Sequence, residues 1–186
     1  MLTFVQYREV EKGLISVHFY TVSDYLYLLQ QISQQLASHG PRALIYLAAA
    51  VSDFYLPPSH MALHKIQSDE GPMVLRLAPV PKLIRPLVRC WCPRAFIVSF
   101  KLETDERLLI GKARAALEKY RHHAVVANVL RERRDRVLII TAEEGEEPLE
   151  VKREGPHEEI EGRIVDVLLY LFRQHQNRSI GPFAVS

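Results

Sequence analysis

With 186 residues, 48% of them hydrophobic and 25% charged, the chain has the composition of an ordinary globular domain and enough length to bury a substantial core. Its formal net charge of +2 is too small and too mixed for a nucleic-acid surface, and no apolar run reaches the ~20 residues of a membrane span. The two cysteines, Cys90 and Cys92, flank Trp91 and make neither a disulfide framework nor a zinc site. The charged first residues lack the apolar core of a secretory signal, so the expected location is cytoplasmic.

Residues 1–12 read as a short helix. Ile15 to Tyr20 alternates as a strand does, and Thr21-Val-Ser-Asp24 is a capping-box pattern opening a helix. Tyr25, Leu28, Leu29, Ile32 and Leu36 mark that helix, which Gly40-Pro41 ends. Leu44 to Val51 is an unbroken apolar run, read as a strand buried on both faces. Strand, helix and strand make a crossover unit and imply a parallel sheet. The run finishes in three alanines, Ala48 to Ala50, and is followed by Ser52 and Asp53. Small side chains leave room for close approach to the backbone, and ligands of open α/β sheets bind beyond the carboxyl ends of strands. Asp53 also admits the plainer reading of a solvated carboxylate.

Further along, His64 to Ser68 and Met73 to Leu77 read as two short strands joined by Asp69-Glu-Gly-Pro72, a hairpin projecting from the sheet. Val80 to Cys92 reads as a short helix interrupted by Pro86. Ala95 to Phe100 is a second buried strand, leading into a polar loop over 101–105. Leu109, Ala113, Ala116, Leu117 and Tyr120 mark the next helix. Ala124 to Ala127 is a third strand ending at Asn128, Val137 to Thr141 a fourth, and Leu149 to Lys152 pairs with it. Ile160, Ile164, Val167, Leu168 and Leu171 define the last helix, with a frayed polar tail from Gln174. The basic residues Arg131, Arg133, Arg134 and Arg136 are interrupted by Glu132 and Asp135 and read as a solvated loop. His122 and His123 read as structural or surface histidines. The expected fold is therefore α/β and Rossmann-like, a mostly parallel sheet with flanking helices and a projecting β-hairpin. It forms one domain over 1–176 with a flexible tail at 177–186.

Four motifs occur in order: Ala48-Ala-Ala-Val-Ser-Asp-Phe-Tyr55, His64-Lys-Ile-Gln-Ser68, Phe100-Lys-Leu-Glu-Thr-Asp105 and Val126-Ala-Asn128. Together they resemble phosphopantothenate–cysteine ligase, also called phosphopantothenoylcysteine synthetase, of coenzyme A biosynthesis, and the animal form in particular. The resemblance implies ATP-dependent amide formation between 4′-phosphopantothenate and cysteine through an acyl-adenylate, with Mg²⁺, in a homodimer whose hairpin lies near the interface. It implies that Lys65 is the catalytic flap lysine. It further implies that Ala48, Ala49 and Asp53 line the nucleotide pocket, with Phe100 against the base. Pro81, Lys82, Leu83 and Ile84 correspond to a nucleotide-contacting turn that reads Asn-Pro-Asp in bacterial members, Lys82 standing in place of that Asp. Asn128 is a candidate for substrate binding from its strand-end position, and no residue is implied as a metal ligand. Without the resemblance, Lys65 reads as an exposed hairpin lysine and Phe100 as core filler.

Two family segments are absent, a Ser-Gly-Gly-Thr run and an Asp-Asn-x-Ser-Ser-Gly motif; the glycines here are scattered singly. The expectation is a fragment, a truncated product, or a chain completed by a partner such as a full-length copy. Two alternatives to an active ligase stay open: a non-catalytic nucleotide-binding or dimer-forming module, and an interaction protein that keeps only the fold.

Overall fold

The computed structural model describes residues 13–64, 66, 71–143, 145, 147–155 and 158–180. Helix α1 spans Val22–Leu36, opened by the capping box: Thr21 Oγ1 accepts from Asp24 N at 3.1 Å and Asp24 Oδ2 accepts from Thr21 N at 3.0 Å. A 3-10 turn over Ala37–Arg42 ends it, with Gly40 at φ 56°, a left-handed conformation that glycine adopts without a Cβ penalty. Strand β1 is Leu44–Leu47, β2 is Phe54–Tyr55 and β3 is Ala78–Pro79. Helix α2, Ile84–Pro86, continues into a π turn over Leu87–Trp91, in which Cys92 N–H donates to Leu87 O at 3.0 Å. Pro86 lacks an N–H and is tolerated because it lies in the first turn.

Strand β4 is Phe96–Glu103 and helix α3 is Glu106–Tyr120, its start capped by Asp105. β5 is Ala124–Val129, β6 Arg136–Thr141, β7 Leu149–Lys152, and helix α4 Ile160–Ile180. The main sheet has the order β1-β4-β5-β6-β7; β1, β4 and β5 are parallel, and β6 is antiparallel to both β5 and β7. Four of the five strands therefore point the same way, which is the α/β, Rossmann-like arrangement expected. Helix α4 covers one face, packing Ile160, Ile164 and Leu168 on Phe96, Val98, Val126 and Ile139. On the other face α3 packs Leu109, Ala113 and Leu117 against Val125, Ala127 and Ile140. Leu87 and Cys92, with Leu29 and Leu36 of α1, cover Ile45 and Ile97 on that same face. Leu87, Ile97, Leu109 and Ile139 are fully buried, each worth roughly 1.5–3 kcal/mol.

Several expectations are corrected. Residues 14–20 form no strand: Ile15 and Tyr20 are 88% and 93% exposed, and among the described residues no strand pairs with this segment. β1 stops at Leu47 instead of Val51 and is not buried on both faces: among the described residues it pairs with β4 alone, and Ala48–Ala50 are exposed. Met73–Leu77 is exposed coil; the antiparallel pair described in this region is β2 with β3, and residues 65 and 67–70 of the expected hairpin lie outside the described residues. Conversely, Lys101–Glu103 is strand and not loop, held by pairing with Ala127–Val129. Arg136 is no solvated side chain: it donates to Glu106 at 2.7 Å, Glu132 at 3.2 Å and Glu150 at 2.5 Å, and these carboxylates raise its pKa further. Helix α4 runs into the expected tail. His175 Nε2 lies 2.9 Å from Arg94 O, and Arg178 pairs with Glu143, so its last turns are tethered.

Two histidines support the start of β5 from below. His123 Nδ1 accepts from Ile97 N–H at 3.0 Å, and His122 Nε2 lies 2.8 Å from Ser99 Oγ. Burial lowers both pKa values from 6.5 to about 4, His175 and His122 adding to the effect on His123. The unfolded chain thus takes up protons that the fold excludes, so stability falls as pH drops from 6.5 towards 4. Thermal melts between pH 7 and 5, above the range in which most carboxylates titrate, should show a falling midpoint. His123→Gln should flatten that slope by about half, and an unchanged slope would remove His123 from the account. Removing the α1 cap with Thr21→Ala should lower the melting temperature by roughly 2–4 °C.

Candidate functional site

The carboxyl ends of β1, β4 and β5 lie at one end of the sheet, and the strands end there at different heights. Leu47, the last residue of β1, is in register with Ser99, whereas β4 and β5 stay paired to Glu103 and Val129. β4 therefore extends four residues beyond the end of its pairing with β1, from Phe100 to Glu103. Ala48 and Ala49 follow directly, exposed, and line an open groove of about 240 Å³ with Leu47, Phe19 and Ile32.

Beyond the alanines the chain turns on Ser52, whose Oγ accepts from Phe54 N at 3.2 Å and donates to Phe54 O at 2.7 Å. This turn carries Asp53. Its carbonyl accepts from Val80 N–H at 2.9 Å, and the short β2–β3 pairing of Phe54 with Pro79 ties the two segments together. That link brings Lys82 onto Asp53, ammonium to carboxylate. Lys82 holds the Asp53 carboxyl below the usual carboxylate range, and Lys101 adds to the effect. Pro81 is exposed beside them, and Leu83 and Ile84 are half-buried at the start of α2. Asp53, Lys82 and the 81–84 turn, distant in sequence, thus form one cluster.

Phe100 and Asn128 occupy the α4 side of the sheet, in line with Val98 and Val126 respectively. Phe100 is 36% exposed, which leaves an aromatic face open to a flat ligand. Asn128 is only 5% exposed and lies within β5, not after it; its Oδ1 is buried with no hydrogen-bond partner among the described residues. An unfilled buried acceptor is costly, and a donor on a ligand or a water would relieve it. Lys65 lies outside the described residues. The sequence reading passed over Lys101 and Glu103, which share the opposite face of β4 with Ser99. Lys101 bonds Glu103 at 3.1 Å, and Lys112 of α3 bonds the same carboxylate at 2.7 Å. The alternation Lys101-Leu102-Glu103 directly after Phe100 was the available signal, since a period of two places Lys and Glu on one face of a continuing strand.

Among the described residues no three His, Cys, Asp or Glu side chains converge as a metal site, and no helix is long and apolar enough to cross a membrane. The candidate site thus holds two carboxylates met by lysines, beside the exposed alanines and a partly open aromatic ring.

Known proteins match this chain in sequence and fold. Residues 9–168 match the family described as DNA/pantothenate metabolism flavoprotein C-terminal domain. Human phosphopantothenate–cysteine ligase is 51% identical over 156 residues, covering 83% of this chain and 50% of that protein. The Saccharomyces cerevisiae ligase CAB2 is 38% identical over 179 residues, covering 86% of this chain and 48% of that protein. A solved structure of a Cab2 mutant in complex with phosphopantothenate-cysteine superposes with a TM-score of 0.85 at 36% identity, covering 96% of this chain and 59% of that chain. A DNA/pantothenate metabolism flavoprotein from Streptococcus pneumoniae, 22% identical with a TM-score of 0.62 over 84% of this chain and 71% of that one, shares the fold. The chain spans about half the length of the curated relatives it matches. Sheet topology and sequence identity agree: the chain belongs to the family described as DNA/pantothenate metabolism flavoprotein C-terminal domain, and over that domain it is similar to phosphopantothenate–cysteine ligases.

Proposed function

We propose that the chain carries the nucleotide-binding part of an ATP-dependent phosphopantothenate–cysteine ligase of the cytoplasm, working as a homodimer or with a longer copy. The observation that supports this best is the Asp53–Lys82 pair, set beside the exposed Ala48–Ala49 strand end. In this reading the 4′-phosphopantothenate carboxylate attacks the α-phosphorus of ATP and pyrophosphate leaves. The amino group of cysteine then attacks the acyl carbon, AMP leaves and the nitrogen loses a proton, which completes the amide.

The residues take distinct parts. Ala48 and Ala49 let the nucleotide approach the backbone, Phe100 stacks on the base, and Asp53 with the turn Pro81-Lys82-Leu83-Ile84 holds the sugar and phosphates. Lys65 closes over the reacting carboxylate and phosphate, where an ammonium stabilises charge that develops in the transition state. Asn128 offers its amide oxygen to a donor on the substrate. Mg²⁺ would arrive with the triphosphate as part of the substrate and neutralise phosphate charge. A metal of this kind is held by phosphates and water with one or two carboxylates, which suits a site with Asp53 and no three-ligand cluster among the described residues.

A second reading rests on the half-length match: a non-catalytic module that binds nucleotide, or only dimerises, and pairs with a full-length ligase. Pyrophosphate release by the purified 186-residue chain, supplied with ATP, Mg²⁺, 4′-phosphopantothenate and cysteine, separates the two. Ligase action predicts release that Lys65→Ala lowers by about a hundredfold or more with the melting temperature unchanged. No release, while saturating ATP still raises the melting temperature, favours the module. Neither release nor an ATP-dependent shift would discard the ligase and the nucleotide-binding module together, leaving a module that only dimerises.

A further inference from the structure

Lysines and carboxylates alternate across the ends of β1 and β4: Lys82 on Asp53, then Lys101 and Lys112 both on Glu103. Three positive and two negative groups leave a net charge of +1 (3 − 2) over the cluster. The Glu103 side chain is only 12% exposed, so this carboxylate is fixed and its charge is divided between two ammonium groups. Lys112 makes the shorter bond, 2.7 Å, and is anchored on α3; Lys101 makes the longer, 3.1 Å, and keeps 40% exposure. Of the two, Lys101 is the weaker-bonded and can turn to an incoming anion without leaving Glu103 uncompensated.

Its placement narrows the kind of anion. Lys101 lies in the four-residue overhang of β4, one residue after Phe100, and Ala48–Ala50 pass the same end of the sheet with only methyl side chains. A ligand with its flat part against Phe100 reaches the opposite face of β4 by crossing this end, and its continuation there meets Lys101. Lys101 also adds to the charge felt by Asp53, so it stands within electrostatic range of the Asp53–Lys82 pair. That pair is exposed on both sides, 58% and 72%, and exposed pairs are worth little, so a phosphate can exchange for the carboxylate on Lys82. Two ammonium groups near Asp53, Lys82 bonded to it and Lys101 within electrostatic range, match a chain of phosphates better than a single one. A compact ammonium binds phosphate as a point charge without the planar geometry an arginine imposes.

We propose that Lys101 is a phosphate-binding residue of this chain, which with Lys82 takes the β- and γ-phosphates of a nucleoside triphosphate. This rests on the nucleotide-binding reading above. It assigns to the Phe100–Asp105 segment a second task beside base stacking, and it makes affinity depend on the number of phosphates.

Calorimetric titration of the full chain with ATP, and separately with AMP, tests it. The wild type should bind ATP about tenfold or more tightly than AMP, and inorganic tripolyphosphate should compete with ATP. Lys101→Ala should lose about fivefold or more in ATP affinity with AMP binding unchanged within about twofold. Lys101→Gln, which keeps the stem and the strand, should do the same, and Lys101→Arg should retain most of the preference. Wild-type ATP-over-AMP preference in both neutral variants would overturn the proposal and leave the nucleotide reading standing. Parallel loss of ATP and AMP affinity would also overturn it, since that is the mark of a disturbed base pocket. Absence of binding of either nucleotide by the wild type would overturn the nucleotide reading and this assignment together.

Discussion

The stagger between β1 and β4 is the constraint on which the candidate site depends. β1 runs out at Leu47 beside Ser99, while β4 is carried on to Glu103 by its pairing with β5. A strand paired on one side only, beyond its neighbour's end, has a free edge and no side chains from that neighbour beside its own. Phe100 and Leu102 are partly open on the α4 side of this overhang and Lys101 on the other. Had β1 continued to Val51 in register, the alanines would lie alongside Lys101 and no strand end would be free there. Ala48 to Ala50 suit the arrangement because, once unpaired, they place almost nothing in the space they border.

Charge then organises what the stagger leaves open. Two carboxylates beside the stagger are met by lysine: Asp53 by Lys82, Glu103 by Lys101 and Lys112. The pairs are not equivalent. Glu103 is largely shielded from water and ties the strand to α3, whereas Asp53 and Lys82 remain in solvent, where attraction is weak and easily exchanged. A rigid pair thus stands beside a labile one, and exchange at the labile one would leave the sheet undisturbed. Arg136, at the same end of the sheet, serves structure alone: it gathers Glu106, Glu132 and Glu150 and so joins α3, the loop after β5, and β7.

Much of this was legible in the residues. The helices were readable because period and cap agreed, as in Thr21 with Asp24. The strands of the sheet's middle, β4, β5 and β6, were readable as short apolar runs. What escaped has a common physical cause: strand limits are decided by the neighbouring strand, which local pattern does not contain. Ile15 to Tyr20 alternates like a strand but meets no partner among the described residues, and Lys101 to Glu103 looks like a loop but has one. The Asp53–Lys82 contact was foreseeable only through the family resemblance, since the β2–β3 pairing that creates it spans just Phe54–Tyr55 and Ala78–Pro79. Asn128 was chosen for its place at a strand end; its buried, unpartnered Oδ1 belongs to the packing and leaves no mark in sequence.

The order of pairings in the sheet also bears on how the chain assembles. β5 and β6 are joined by one short connection, and β6 and β7 by another, so their pairing closes small loops and can form early. β1 instead meets β4 across all the chain between Leu47 and Phe96, through four paired residues. It is the costliest contact to close, and four paired residues hold it, as many as hold the opposite edge strand β7. Amide protons should therefore exchange with solvent faster along β1 than in β5, a gradient of local opening across one sheet. The strand that bounds the candidate site would be late to fold and early to open, so a ligand bound there would protect backbone well beyond the atoms it touches.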